Sequence, residues 1–589
     1  GVPCLKIVKP IPNTSQFSKD SIKSYVITSR EIKEYGADDI NQVLEMIPGI
    51  NITQSGPKGQ QASMFMRGTN SNHTLVMING VPINDQSTTQ GLHDFGVDFI
   101  QTIQQIEVYP GSSASQFGTN AIGGAINIVL AGDFKDYYKI VTDKDNNYQF
   151  TGNKTFVQDK NSSLNIKLGT VKNETISARG SSKDEKDGVK NYSMNINYEK
   201  FFNDNLRFYN HNYIRQTIAE YDGSSSDQFG YEGDNKMGSF QIGLENLNFA
   251  SKQNSIFYYN NYDREYDEKG TIDKYKSEVI GLKYDASKTI NSNISLGVGT
   301  EYKYDWGYFD NNGSYEASTK GHSDNLSYYG NIGYNFFQSS NISFFIRMDD
   351  HKLTGKNDSY KLNYEKVINN SNIGLSYMNG LRNPTLYELF GTDSYGFSGN
   401  KNLKPEKSDT YEVYSNTKLG DNFEITLRGF KSRIKDNIEY INNQYQNDTD
   451  NVDLNQSGLN SGLKFKINKT NLNLFSSLLS SKKENGSDTL RRPRKNYGLN
   501  LQQKFSNNIF GNLNFNISYN HYGKHLDTHS STYNTIEMDN RDIIDIKINK
   551  ELKSGVLFIN ISNLLNEDYQ KPHGYNQNKR GINFGYRFN

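Results

Sequence analysis

The chain has 589 residues, of which 34% are hydrophobic, 13% aromatic and 22% charged, with 65 Lys+Arg against 65 Asp+Glu. A mean hydropathy of −0.78 is too polar for a large soluble core, while 41 Tyr and 32 Phe are too many for a disordered chain. The zero formal charge gives no reason to expect a nucleic-acid partner, and the single cysteine, Cys4, excludes an internal disulfide framework and a cysteine-cluster metal site.

No stretch approaches the roughly 18 consecutive apolar residues that a spanning helix needs. A β-barrel survives this test, because its strands turn only every second residue to lipid. The start at Gly1, without Met or an apolar leader, leads to the expectation of a mature exported product.

In chain order, the first short apolar run is Leu5, Lys6, Ile7 and Val8. Thr28-Ser29-Arg30-Glu31 is a capping-box pattern opening a helix that Gly36 closes. Asp38 can cap the next helix, whose Ile40, Val43, Leu44 and Ile47 share one face before Pro48-Gly49 stops it. Strands are expected near 50–53, 63–67, 74–78 and 103–109. Asn79-Gly80 after the third is a hairpin signal, since both residues tolerate the positive φ of a type I′ turn.

From about residue 135 the pattern changes to strand alternation. Ile294, Leu296, Val298, Thr300, Tyr302, Tyr304 and Trp306 share one parity, with mostly Ser, Gly, Glu, Lys and Asp between them. Leu326, Tyr328, Ile332, Tyr334 and Phe336 repeat it, as do Leu513, Phe515, Ile517 and Tyr519, and finally Ile582, Phe584, Tyr586 and Phe588. Each segment therefore has one apolar and one polar face. A soluble sandwich would turn the apolar faces inward. Segment length, interfacial Tyr and Phe, and short links alternating with long polar stretches (222–236, 305–324, 444–457) favour a membrane barrel. Some 455 residues at about 20 per strand and connection give about 22 strands, a size that encloses a lumen needing a plug. The expected fold is an all-β membrane barrel of about 22 antiparallel strands with an N-terminal α+β plug domain in the lumen. Its divisions are 1–20 for an N-terminal segment, 21–134 for the plug and 135–589 for the barrel.

Several segments resemble the TonB-dependent outer-membrane transporters. These are VLEMIPGINIT (43–53), FMRGTNSNHTLVMINGVPIN (65–84), IEVYPGSSASQFGTNAIGGAINIV (106–129), LRNPTLYELFG (381–391), NKNLKPEKSDTYE (400–412) and NISNLLNEDY (560–569). Within that family the plug text 51–84 is most similar to the cobalamin (vitamin B12) transporters. Two departures stand out: Tyr109-Pro110-Gly111 replaces the family's usual Arg-Gly-Pro, and the N-terminus lacks a convincing TonB box.

The resemblance implies energised uptake of a scarce, bulky nutrient at the bacterial outer membrane by a monomer, with TonB, ExbB and ExbD as partners. It implies no enzymatic activity. Leu5, Lys6, Ile7 and Val8 would then be the TonB contact, by strand addition. Ser55, Gln60, Gln61, Thr88 and Thr89 would bind the ligand with amide and hydroxyl groups, as a corrin's amide side chains require. Asp184, Glu185, Asp187 and Asp222 loosely resemble loops that bind calcium in cobalamin transporters. Their hard oxygen ligands suit calcium, although the spacing is not an EF-hand and solvated acidic loops are common. A ferric-siderophore receptor is the nearest alternative, and a passive porin or secreted β-rich adhesin the alternative from another class. His521, His525 and His529 have helical spacing, but on a segment leaving a strand for a loop, which sets no metal geometry. Residues 118–124 lack the Lys-Ser/Thr of a phosphate-binding loop.

Overall fold

The computed structural model describes residues 25–35, 40–99, 103–132, 135–180, 185–223, 226–248, 251–311, 317–337, 339–393, 396–447, 453–507 and 511–588. Gly36, Asp38 and residues 5–8 lie outside them.

Twenty-two antiparallel strands close into a barrel. The first, Tyr137–Asp143, pairs with the last, Gly581–Phe588, in the register Tyr138↔Phe588. Strand lengths run from 7 residues there to 20 in Ala317–Phe336. Leu296, Val298 and Tyr302 face outward and Val298 is 59% exposed, whereas Glu301 and Asp305, of the opposite parity, are buried. This inversion decides against a soluble sandwich: lipid solvates the apolar face, and the polar face lines a lumen.

At one rim the strands join through links as short as 369–370, 468–469 and 553–554, and at the other through long segments such as 383–405. The long-loop rim carries a short helix (Leu386–Phe390) and two extra hairpins, Ile438–Ile441 with Gln444–Asn447 and His525–Thr528 with Thr535–Met538.

Three expected loops need correction. Strands Ile294–Asn311 and Ala317–Phe336 leave only 312–316 between them, not 305–324. Strand Tyr231–Leu247 takes up part of 222–236, and 444–457 contains a hairpin arm and the start of Leu454–Ile467. Beyond the lipid, outward residues no longer need to be apolar, so strands continue through polar text. Asp305, Gly307, Phe309 and Asn311 still point into the lumen.

The plug fills the lumen. Its five-stranded sheet runs Tyr25–Thr28, Gln105–Pro110, Gly124–Val129, Thr74–Ile78 and Val81–Pro82. A separate ribbon pairs Ile50–Gln54 with Ala62–Met66, so the apolar run before Arg67 partners an earlier strand and not the one that follows. The capping box forms: Thr28 Oγ1 accepts from Glu31 N at 3.3 Å and Glu31 Oε2 accepts from Thr28 N at 3.0 Å. The hairpin turn forms too, with φ of 48° at Asn79 and 80° at Gly80. Asn79 Oδ1 also accepts from Leu130 N and Ala131 N at 2.8 and 3.2 Å, tying the turn to the chain's exit from the sheet. Ile40, Val43, Leu44 and Ile47 pack on Ile106, Ile126 and Ile128.

Ion pairs seat the plug in the barrel. Asp98 meets Arg215 at 2.5 Å, Asp85 meets Arg264 at 2.8 Å, Arg67 meets Glu412 at 2.5 Å, His73 Nε2 lies 3.0 Å from Glu406, and Glu45 meets Lys571 at 2.9 Å. Burial pushes the Asp98 carboxyl up, but Arg215 and His93 outweigh it and hold the group at about 2. Tyr109 is buried, and its hydroxyl donates to Glu107 at 2.9 Å, beside Asn127 and Gln105 donating to the same carboxylate. Burial raises Glu107 despite these bonds. A closed barrel of this kind is expected to migrate as a compact band before boiling and a slower one after; unchanged mobility on electrophoresis would contradict it.

Candidate ligand entrance and acidic cluster

Two plug loops rise to the long-loop rim. In the first, Ser55 N donates to Gln61 O at 2.9 Å, closing the loop on itself. Gly59, at φ 96°, lies so close to Val189 that a Cβ there would stand 2.6 Å from the valine Cβ. Gln60 is buried, and its Nε2 donates to Glu220 O at 2.6 Å. Gln61 is exposed, and Ser55 is half-buried.

In the second loop, Asp85 accepts from Ser87 N at 2.8 Å and from Ser277 Oγ at 3.0 Å. Thr88 Oγ1 donates to Asp85 O at 2.8 Å and accepts from Leu92 N at 3.1 Å. Thr89 is exposed, and its carbonyl accepts from Thr385 Oγ1 at 3.0 Å. The five residues expected to meet ligand thus divide. Gln61 and Thr89 present themselves to the mouth, Ser55 and Thr88 are half-buried, and Gln60 is spent on the barrel.

Sequence reasoning missed an aromatic wall around this mouth. Tyr221 packs on Tyr231 and Tyr266 (centroids 5.6 and 5.8 Å), and Tyr266 on Tyr275 (6.1 Å), with the Arg264 guanidinium 4.9 Å from the Tyr275 ring. Phe309, Tyr387, Phe397 and Tyr445 form an adjoining buried cluster, on which Tyr440 stacks while 52% exposed. The inward parity of the strands could have revealed the first group. The second gathers Phe309 of the strand Ile294–Asn311 with residues of the helix, loop and hairpin at the rim.

Beside the first plug loop, single carboxylate oxygens of Glu185, Asp187 and Asp222 all lie within 4.8 Å of one another. Asp187 Oδ2 accepts from Ala178 N at 2.6 Å, and Asp222 Oδ2 accepts from Arg179 N at 2.7 Å. Asp187 Oδ1 and Asp227 Oδ1 are buried without a hydrogen-bond partner. Burial, and then the neighbouring acids, push Glu185 up to about 8 and Asp187 up to about 7, and raise Asp222. Asp184 lies outside the described residues, and Asp227 stands close enough to Glu185 and Asp222 to help raise both.

The three histidines do not converge. His521 pairs with Asp542 at 2.8 Å, His525 Nδ1 lies 3.4 Å from Gly523 O, and His529 packs on His573 at 4.3 Å between centroids.

Residues 18–125 match the TonB-dependent receptor plug domain, and residues 132–564 match the β-barrel of TonB-dependent receptors. This chain belongs to the TonB-dependent receptor family. As a TonB-dependent receptor it is an outer-membrane transport protein of a family whose members are not enzymes. It is 25% identical to a vitamin B12 transporter, BtuB, of Vibrio cholerae over 96% of this chain and 92% of the relative. It is 28% identical to that of Photobacterium profundum over 66% of this chain and 63% of the relative. In fold it is similar to the siderophore receptor PirA from Acinetobacter baumannii (TM-score 0.81, 16% identity, 97% and 98% of the two chains covered).

Proposed function

We propose that this receptor takes up cobalamin or a related corrinoid, driven by TonB with ExbB and ExbD. The observation that carries the reading is similarity to vitamin B12 transporters along 96% of the chain. The mouth is chemically suited to such a ligand. Gln61 and Thr89 offer amide and hydroxyl groups to an amide-rich molecule, and the aromatic wall offers apolar area. A ferric siderophore is the second reading, favoured by the aromatic wall and Arg264 beside it.

Titration calorimetry with cyanocobalamin, a ferric catecholate and a ferric hydroxamate separates the two. Saturable heat with cyanocobalamin alone is expected, and saturation with an iron complex alone would overturn the corrinoid reading. Replacing Gln61 and Thr89 together by alanine should weaken cyanocobalamin binding about tenfold, equivalent to roughly 1.4 kcal/mol. Gln60→Ala acts through the barrel contact at Glu220 O and should loosen the loop.

Glu185, Asp187, Asp222 and Asp227 would hold a calcium ion. Their hard oxygen donors, the unpartnered buried carboxylate oxygens and the raised proton affinities all fit a divalent cation. Such an ion would neutralise the outer loops 175–187 and 221–230 against the plug.

Leu5, Lys6, Ile7 and Val8 are proposed to pair with TonB as an added strand. Ile7→Pro removes a main-chain donor and fixes φ, so energised uptake should vanish while equilibrium binding persists. Undiminished uptake would place the TonB contact elsewhere.

A further inference from the structure

The ion pairs between plug and barrel are distributed unevenly around the wall. Arg215, Arg264, Glu412 and Lys571, on strands or loops from 206–268 and 406–580, each meet a plug charge, and Glu406 meets the imidazole of His73. The intervening sector, strands Ile294–Asn311, Ala317–Phe336 and Ser340–His351, is equally charged but satisfies itself. Arg347 meets Glu301 at 2.9 Å and Asp349 at 3.1 Å, and Lys303 meets Asp305 at 3.3 Å. Ser327 Oγ donates to Asp349 at 2.6 Å and accepts from Arg347 at 2.7 Å, completing the wall's own network.

A crevice lies along this sector. Its plug side is uncharged, with Leu75, Asn84, Gln86 and Phe117, and its wall side includes Glu301, Lys303, Asp305, Asn325 and Arg347. One carboxylate oxygen of Asp305 and the side-chain carbonyl of Asn325 have no hydrogen-bond partner, although both residues are buried. Buried polar groups in this state call for water.

We propose that the path through the barrel opens along this seam, between the uncharged plug face and the wall of strands 294–351. Moving the plug from Arg215, Arg264, Glu412 or Lys571 separates Asp98, Asp85, Arg67 or Glu45 from its ionic partner on the wall, the costliest way to separate two surfaces. Moving it from the seam separates no such pair, because Glu301, Lys303, Asp305, Arg347 and Asp349 keep their partners on the wall. The unpartnered Asp305 and Asn325 oxygens lining the crevice would ease the advance of water. The inference rests on the transport function of the family and not on which ligand is carried.

Two tethers test it in a Cys4→Ser background. Gln86→Cys with Asn325→Cys, joined by a short bismaleimide, closes the seam. Val97→Cys with Thr217→Cys ties the plug to the wall elsewhere, where Thr217 Oγ1 donates to Val97 O at 2.6 Å. The readout is ionic conductance in planar bilayers under moderate urea, which needs no ligand and so fails or succeeds separately from the corrinoid reading. Each variant before cross-linking gives the reference, and heat-modifiable mobility reports whether its barrel is intact. The seam tether is expected to reduce urea-induced conductance at least about tenfold and the second tether less than about twofold. Equal suppression by both, or none by the seam tether, would overturn the proposal.

Discussion

Arg382→Met is expected to destabilise the plug and outer-loop assembly by about 3–5 kcal/mol, the usual cost of removing one partner from a buried charge network. Arg382 ends the strand Ser371–Arg382 and is 0% exposed. Its Nη1 and Nη2 each lie 3.1 Å from a Glu388 oxygen, while its Nε donates to Glu406, the carboxylate that also meets His73 of the plug. Glu388 belongs to the helix Leu386–Phe390, where it accepts from Thr385 N at 2.8 Å, and the Thr385 hydroxyl donates to the plug carbonyl of Thr89. Without the guanidinium, Glu406 keeps His73 but Glu388 loses its ionic partner, leaving a buried carboxylate unpaired. Arg382→Lys keeps the charge but loses the planar fork, and should recover only part of the loss. Calorimetric unfolding in detergent should show an earlier plug transition, with faster proteolysis in 383–405. Adding Glu388→Gln to Arg382→Met should restore part of the stability; an unfolding trace identical to the parent's would disprove the network's role.

This network explains why so much of the site was hidden in the sequence. His73 and Glu406 are 333 positions apart, and no local pattern announces that they meet. The barrel itself was legible, because lipid imposes a strict parity on outward residues: Leu296, Val298 and Tyr302 had to be apolar whatever lay inside. Where that pressure stops, so did the reading, and the outer ends of Ile294–Asn311 and Ala317–Phe336 looked like loop. The plug's capping box at Thr28 and its turn at Asn79-Gly80 were readable because each is decided by neighbours within a few residues. Tyr25–Thr28 was missed, being four residues at a sheet edge.

The ligand loops were located but their roles were not separable. Gln60 and Gln61 are adjacent in sequence and chemically identical. Only the barrel wall, reaching Gln60 through Glu220 O, makes one a strut and leaves the other exposed. The aromatic wall failed for the opposite reason. Among 41 tyrosines, Tyr221, Tyr266 and Tyr275 carry no local mark until strand parity and height in the barrel are both known.

Without divalent cations, the stability of loops 175–187 and 221–230 is expected to fall as pH rises from about 4, where free carboxyls titrate, through about 7 and about 8, where Asp187 and Glu185 titrate in the folded protein. Within that window the folded chain holds protons that the unfolded chain has released, so raising the pH favours unfolding. The sign is opposite to that of a salt-bridged carboxylate such as Asp98, whose lowered value makes its contribution vanish only in strong acid. Calcium should reverse the effect at pH 8, where it replaces the missing protons as the neutralising charge. At pH 5.5 it must displace protons from both Glu185 and Asp187, so its apparent affinity should be weaker by at least on the order of a hundredfold. Asp187→Asn removes one acid from the cluster, and should both flatten the pH dependence and remove most of the calcium response. Limited proteolysis of the two loops at pH 5.5 and 8, with chelator or calcium, measures all of this. Equal protection by calcium at both pH values, or an unaltered response in Asp187→Asn, would show that the cluster neither stores protons nor holds the ion.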